Sequence, residues 1–268
     1  MSLRLIHLSD IHFGCENKAA VEGARAFILD RPPDVLIVTG DMTQSGLPHE
    51  FDAAGAWLGG LPKPQVCTPG NHDVPVPGVI DRIVAPFGPY TRRFGATHLD
   101  LRPAPGLNVQ GINTARGMQW RLNWSKGAIH RRDARRACEA MATAAPGDLK
   151  AVICHHPLME ITGGPMTGRV RGGDRASEIL ALGGADLILT GHVHIPFAHA
   201  LPFGDRRTYA VGAGTLSHRE RGRPAGFNVI DIEAECIRVA ALAWTGSHFE
   251  VERSWGLDRR VPDQALAA

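Results

Sequence analysis

The sequence predicts an α/β fold, and three observations carry that prediction. Short apolar runs rich in Val, Ile and Leu recur along the first two-thirds of the chain. Between them lie segments whose apolar residues repeat at helical spacing. Polar or glycine-containing turns close the runs, as strand–helix alternation requires.

In chain order, Leu3 to Leu8 is the first expected strand, closed by Ser9-Asp10. Lys18 to Asp30 then places Val21, Ala24, Phe27 and Ile28 on one helical face, with Asn17 as N-cap. Val35 to Thr39 is a second strand. Pro48 to Leu58 is a second helix, with Phe51, Ala54 and Leu58 on one face. Gln65 to Thr68 is the third strand, and the Pro-, Gly- and Arg-rich stretch Pro75 to Pro105 reads as a short helix and loops. A strand over Leu107 to Asn113 precedes a helix over Asp133 to Ala145. The strand Ala151 to Cys154, the helix Asp174 to Leu182 and the strand Asp186 to Thr190 complete the alternating part. Thr208 to Val211, Phe227 to Ile232, Ile237 to Trp244 and His248 to Val251 follow with turns and no helix. They read as antiparallel strands of a second sheet packed on the first. One domain is therefore expected over residues 1–255, with a loosely held tail over 256–268.

Composition narrows the class. A chain of 268 residues with 44% apolar and 21% charged residues can bury its own core and needs no disulfide staples. The five cysteines are odd in number, widely spaced and without a CxxC pair. They indicate reduced thiols in a cytoplasmic protein rather than a zinc ribbon or disulfide framework. The apolar N-terminal stretch is short and broken by His7 and Asp10, so it suits neither a signal peptide nor an anchor, and no later run could span a bilayer. A net charge of +2 gives no reason to expect a nucleic-acid partner. The C-terminal strands and tail could form a homodimer.

Thirteen histidines turn attention to their placement. Five clusters each follow a predicted strand: Asp10-x-His12, Gly40-Asp41, Gly70-Asn71-His72-Asp73, His155-His156-Pro157 and Gly191-His192-x-His194. In open α/β sheets ligands bind outside the carboxyl ends of the strands. Five strands should thus deliver these side chains to one edge of one sheet. Residues two apart can converge where a strand end bends, and the preceding glycines allow tight turns and close backbone approach. Carboxylate, imidazole and amide donors without thiolate favour ions such as Mn²⁺ or Fe over an all-sulfur zinc site. Singly, any of these clusters is as well explained by hydrogen-bonded structural residues.

The ordered set DxH, GD, GNHD, HH and GHxH resembles the calcineurin-like metallophosphoesterase superfamily. It looks most like the bacterial class III cyclic nucleotide phosphodiesterases. The resemblance runs from Asp10 to His194 and implies a four-layer αββα sandwich with two metal ions, Mn, Fe or Zn. It implies that Asp10, His12, Asp41 and His194 hold the first ion. Asp41, Asn71, His155 and His192 would hold the second, with Asp41 bridging. It further implies that His72 protonates the leaving group or stabilises its charge, and that a metal-bridging hydroxide is the nucleophile. In one respect the chain departs from the pattern. Phosphatases of the superfamily often carry an Asp three residues after the bridging Asp, orienting the catalytic His, and this chain has Gln44 there. The expected substrate is a small nucleotide-like or glycerol-linked phosphodiester. A phosphomonoesterase, a nucleotide pyrophosphatase and a non-catalytic scaffold are the alternatives.

Outside the ligand set, His156 is expected behind the ligands or facing substrate. Arg116, His218 and Arg219 follow predicted strand ends or turns and are the candidate substrate contacts, because an arginine can grip phosphate bidentately. The other arginine runs read as solvated faces. His7 is expected to pack in or beside the first strand. His49, His98, His130, His199 and His248 are expected on the surface, and Cys15 and Cys154 as small packing residues.

Overall fold

A computed structural model of the chain describes residues 2–76, 79–119, 123, 125–160 and 170–260. The first sheet contains β1 (Leu3–Leu8), β2 (Val35–Thr39) and β3 (Gln65–Thr68), with α1 (Lys18–Asp30) and α2 (Pro48–Gly59) as crossovers. After α3 (Val79–Val84) and α4 (Gly88–Phe94), the second sheet is built from β4 (Leu99–Ala104), β5 (Leu107–Gly111), β6 (Leu149–Ile153), β7 (Leu187–Thr190), β8 (Phe197–Ala200) and β9 (Tyr209–Gly212). Helices α5 (Arg131–Met141) and α6 (Gly173–Leu182) cross between its parallel strands. The chain then returns to the first sheet with β10 (Gly226–Ile232), β11 (Cys236–Trp244) and β12 (Phe249–Asp258).

Each sheet has six strands, in the orders β12-β11-β10-β1-β2-β3 and β4-β5-β6-β7-β9-β8. Strand alternation sorts the apolar residues into three layers. Leu5 and Ile37 of the first sheet meet Leu187, Leu189 and Val211 of the second between the sheets. On the outer face of the first sheet, Ile6, Leu36 and Val38 pack against Val21, Ala24 and Ile28 of α1 and Phe51 and Leu58 of α2. On the outer face of the second, Val152 and Ile188 pack against Ala134, Ala137, Ala176 and Leu180 of α5 and α6. Helices outside two stacked sheets give the αββα order.

Three expectations are corrected. The C-terminal strands do not form the second sheet: β10 pairs antiparallel with β1 and extends the first. The strand at residues 209–212 instead runs parallel to β7 in the second. Strand–helix alternation fixes local pairing but not which of two sheets a strand joins, so the five clusters come from both sheets rather than one. The tail also begins later than expected, since β12 continues through Gly256 to Asp258 along β11. Beyond it Arg260 is held by Asp186 and Asp205 at 2.9 and 2.7 Å, and residues 261–268 lie outside the described residues. Strands β4 and β8 are additions to the sequence reading. Both are edge strands of the second sheet, β4 carries Pro103, and each is partly exposed, so neither shows a buried strand's apolar run. Among the described residues no helix is long and apolar enough to cross a membrane.

Near the C-terminal strand ends the layer between the sheets turns polar. His7 is fully buried there, with Nε2 2.9 Å from Thr39 Oγ1, and burial lowers its pKa to about 3. Asn228 Nδ2 donates to the Gly212 carbonyl across the sheets at 2.9 Å.

Leu189 is fully buried between the sheets, whereas Leu182 at the end of α6 is 66% exposed. Leu189→Ala should therefore destabilise the protein by ~2–5 kcal/mol in denaturant titration, and Leu182→Ala by less than ~0.5 kcal/mol.

Candidate metal centre

The site is built from bent strand ends. Among the described residues six non-glycine positions have positive φ: Asp10 (53°), His12 (52°), Asp41 (52°), His192 (66°), His194 (59°) and Arg206 (61°). The first five belong to the predicted ligand set. Left-handed backbone costs an L-residue on the order of 1–2 kcal/mol, so its concentration here marks strain held by surrounding structure. Backbone bonds supply the hold: Asp10 N–H donates to the Gly40 carbonyl, His12 N–H to that of Asp41, and Gly191 N–H to that of His155. The alternating turn sends both polar side chains of each x-separated pair inward and leaves Ile11 and Val193 buried.

Each carboxylate is half anchored and half free. Asp10 Oδ2 accepts from Ser9 Oγ at 2.6 Å and from the His192 N–H at 2.8 Å. Its Oδ1 lies 3.0 Å from His194 Nε2 and 3.7 Å from His12 Nε2. Asp41 Oδ1 accepts from the His72 N–H at 2.7 Å. Its Oδ2 lies 3.2 Å from His155 Nε2 and 3.8 Å from His12 Nε2. Asp10 is common to an Asp10–His12–His194 group and an Asp10–Asp41–His155 group, and Asp41 also falls in a His12–Asp41–His72 group. His155 and His192 lie beside each other with ring centroids 5.2 Å apart.

The imidazoles are presented by the backbone. Nδ1 of His155, His194 and His72 donates to the carbonyls of Thr39, Arg219 and Gln44 at 2.7, 2.6 and 2.6 Å. A carbonyl can only accept, so these bonds fix each Nδ1 as a donor and point each Nε2 toward the cluster. Burial opposes charge on His155, but Asp41 and Asp10 outweigh it and raise its pKa to about 9. Burial likewise opposes ionisation of Asp41, yet the surrounding His155, His72 and His12 hold its carboxyl below the usual range. His192, buried beside His155, is lowered to about 3 and stays neutral.

Whether cations fit is tested by the atoms left over. Asp10 Oδ1, Asn71 Oδ1 and His155 Nε2 are buried without a hydrogen-bond partner. An unsatisfied buried polar group costs about 1–3 kcal/mol. Three such acceptors in one cluster of carboxylate, amide and imidazole suit bound divalent metal, whose ligands are lone pairs of this kind.

The remaining predicted residues separate. His156 is buried and already committed, with Nε2 2.8 Å from the Ser125 carbonyl and Nδ1 2.9 Å from Thr114 Oγ1. It tethers the loop at Ser125, and burial lowers its pKa well below the ordinary value. Arg116 folds its guanidinium onto the Asn113 and Ala115 carbonyls. His218 is exposed, and its N–H donates to the Cys15 carbonyl. Arg219 reaches the centre, with NH1 2.7 Å from His72 Nε2. Gln44 serves His72 through its backbone carbonyl, so a carboxylate is not needed to orient the ring. Asp73 takes no part in that: it accepts from Gly70 N–H and from Thr43 N–H and Oγ. Its pKa is raised to about 6 by burial and the Asp41 charge. Sequence reasoning missed Ser9, Thr39 and Thr114, which brace Asp10, His155 and His156. Only Ser9, adjacent to Asp10, left a local signal.

Residues 3–196 match the family model described as calcineurin-like phosphoesterase. The chain belongs to that family. It is 30% identical over 84 residues to a probable cyclic nucleotide phosphodiesterase of Synechococcus sp., covering 28% of this chain and 33% of the relative. It is 34% identical over 80 residues to a glycerophosphodiester phosphodiesterase of Enterobacter lignolyticus, covering 26% and 29%. The matches thus span about a third of the length of these curated relatives. Two solved structures share the fold at a TM-score of 0.67. One is a purple acid phosphatase of yellow lupin, 12% identical, covering all of this chain and 55% of its own. The other is GAP50, the anchor in the inner membrane complex of Plasmodium, 13% identical, covering 98% and 90%. These bear out the αββα expectation.

The family's glycines have a steric reason here. A Cβ on Gly191 would overlap Ser9 Oγ and Asp10 Oδ2, and one on Gly70 would overlap the Asp41 carboxylate. Gly191→Ala should displace Asp10 and lower bound metal per chain at least twofold by elemental analysis. Unchanged metal content would show that this close approach is dispensable.

Proposed function

We propose that this chain is a dinuclear metal-dependent hydrolase that cleaves a small nucleotide-like or glycerol-linked phosphodiester. The observation that carries the reading is the two-way presentation of Asp41 between the His12 and His155 sides of one buried cluster. Asp10, His12, Asp41 and His194 would hold one cation, and Asp41, Asn71, His155 and His192 the other. Paired cations, when bound, supply Lewis acidity toward the phosphate and a water of lowered pKa. The oxygen and nitrogen donor set suits Mn, Fe or Zn.

Hydrolysis adds water across the P–O bond, and the departing alkoxide must gain a proton or a positive neighbour. His72 is suited to that end of the reaction. Its ring packs edge-on to His12 with centroids 4.8 Å apart, and the Gln44 carbonyl fixes Nδ1 so that Nε2 is the working atom. Arg219 is the cation within reach of the same point and is the substrate-contact candidate that the geometry favours. The diester preference draws on the names of the two curated relatives. Phosphomonoesters and pyrophosphates share the same chemistry at phosphorus, so a panel of mono-, di- and pyrophosphate esters separates them.

Asp41→Ala should reduce occupancy of both metals, whereas His12→Ala should chiefly reduce one, as read by elemental analysis. If Asp41→Ala kept both ions and full activity, the ligand assignment would be wrong. His72→Ala should retain metal and lower kcat on bis-p-nitrophenyl phosphate with Mn²⁺ by about 10²–10⁴-fold, the usual contribution of a positioned proton-transfer group. Absence of turnover with every divalent metal tried would sink the enzymatic reading.

A further inference from the structure

Arg219 occupies an unusual position between two parts of the centre. Its backbone carbonyl accepts from His194 Nδ1 at 2.6 Å, while its guanidinium NH1 lies 2.7 Å from His72 Nε2 and 3.4 Å from Gln44 Oε1. Guanidinium has donors only, so His72 must offer Nε2 as an acceptor. The other ring nitrogen agrees, because Nδ1 donates to the Gln44 carbonyl. The working atom of His72 is therefore capped in this arrangement. It cannot meet a leaving-group oxygen until the guanidinium moves.

The parking place is suited to release. Gln44 Oε1 is neutral and at the limit of hydrogen-bond reach, so it steadies the guanidinium without the Coulomb attraction a carboxylate would add. The cap itself is a cation against a neutral ring. A phosphate oxygen offers that same guanidinium a charge-assisted bond, roughly twice as strong as a neutral one. Arg219 is half-buried and long, so a change of rotamer can carry its head while the backbone carbonyl stays on His194.

We propose that Arg219 is a substrate-released latch: its guanidinium caps His72 Nε2 in the resting site, and the arriving phosphate draws it off and frees Nε2 to take up a proton from water and pass it to the leaving-group oxygen. The proposal rests on the phosphoesterase reading above and assigns Gln44 the role of a neutral parking group. It explains why an amide stands where phosphatases of the superfamily often carry an aspartate. A carboxylate at that position would bind Arg219 as an ion pair and hold the latch shut.

Zinc-loaded wild type, Arg219→Ala, Arg219→Lys and Gln44→Glu test it. Because every residue retains the carbonyl that holds His194, Arg219→Ala should keep its metal, which elemental analysis checks first. Inorganic phosphate is the probe, titrated by calorimetry. Arg219→Ala should weaken its binding on the order of tenfold to a hundredfold, the loss of one charge-assisted bond. Arg219→Lys should recover part of this, and Gln44→Glu should weaken binding about tenfold with the arginine intact. In the absence of phosphate, His72 should react with diethyl pyrocarbonate several-fold faster in Arg219→Ala than in wild type, as mapped by peptide mass spectrometry. Phosphate binding unaffected by Arg219→Ala would overturn the phosphate grip, and unchanged His72 reactivity would overturn the cap. Tighter phosphate binding by Gln44→Glu would overturn the parking role. None of these readouts needs turnover. A wild type that binds zinc and phosphate but hydrolyses no ester would defeat the phosphoesterase reading separately.

Discussion

The bifacial carboxylate of Asp41 is the constraint on which the rest of the structure depends. One oxygen is pinned by the His72 N–H, and the other is turned toward imidazoles from both sheets. That arrangement is possible only if β2 of the first sheet and β6 of the second end at the same height and face each other. The stacking of Ile37 against the second sheet's inner residues sets that height, and the Gly40 turn sets the direction. Packing between the sheets and chemistry at their ends are therefore one problem. A one-residue slip of β2 in its pairing with β1 would turn the opposite face of β2 inward and separate Asp41 from His155.

Gathering so many polar groups has a local energetic cost. Five left-handed residues and three unpartnered acceptors together oppose folding by several kcal/mol. Hydrogen bonds between neighbouring turns and the fully buried core beneath offset it. Cations held there would offset it further, because they would bind the folded cluster and not the unfolded chain. The two aspartates also favour a proton on His155, whose pKa they raise to about 9. That proton would have to leave for His155 Nε2 to become a ligand, so a metal ion would compete with it for the same lone pair.

What was legible in the sequence divides along the same physical line. Strands β1, β2 and β3 could be read to the residue because most of their positions are apolar and buried, β2 being buried at all five, and polar or glycine turns close them. The candidate site residues were legible because each cluster sits at a strand end, and three of the five follow a glycine, Gly40, Gly70 or Gly191. The distribution of strands between two sheets was not legible. Leu187 and Leu5 are chemically alike, and nothing local says which sheet either one serves. Edge strands such as β8 lacked the apolar run that burial imposes. The orientation of His72 was illegible for another reason: the group that holds it is the backbone carbonyl of Gln44, and a carbonyl is common to every residue.

The polar interior beneath the centre shows how precision is obtained without a rigid loop. Thr39 uses its hydroxyl for His7 and its carbonyl for His155, so one residue couples the layer between the sheets to an imidazole of the site. Asn228 ties β10 to the Gly212 carbonyl on the other sheet at the same level. Apolar contacts are non-directional and tolerate small slides of one sheet over another. Hydrogen bonds across the gap do not, because their strength falls steeply with misalignment. A purely apolar layer could supply the stability but not the register. Placing a few directional bonds immediately under the strand ends fixes the sheets where Asp41, His155 and His194 must meet, and leaves the wider core to aliphatic packing.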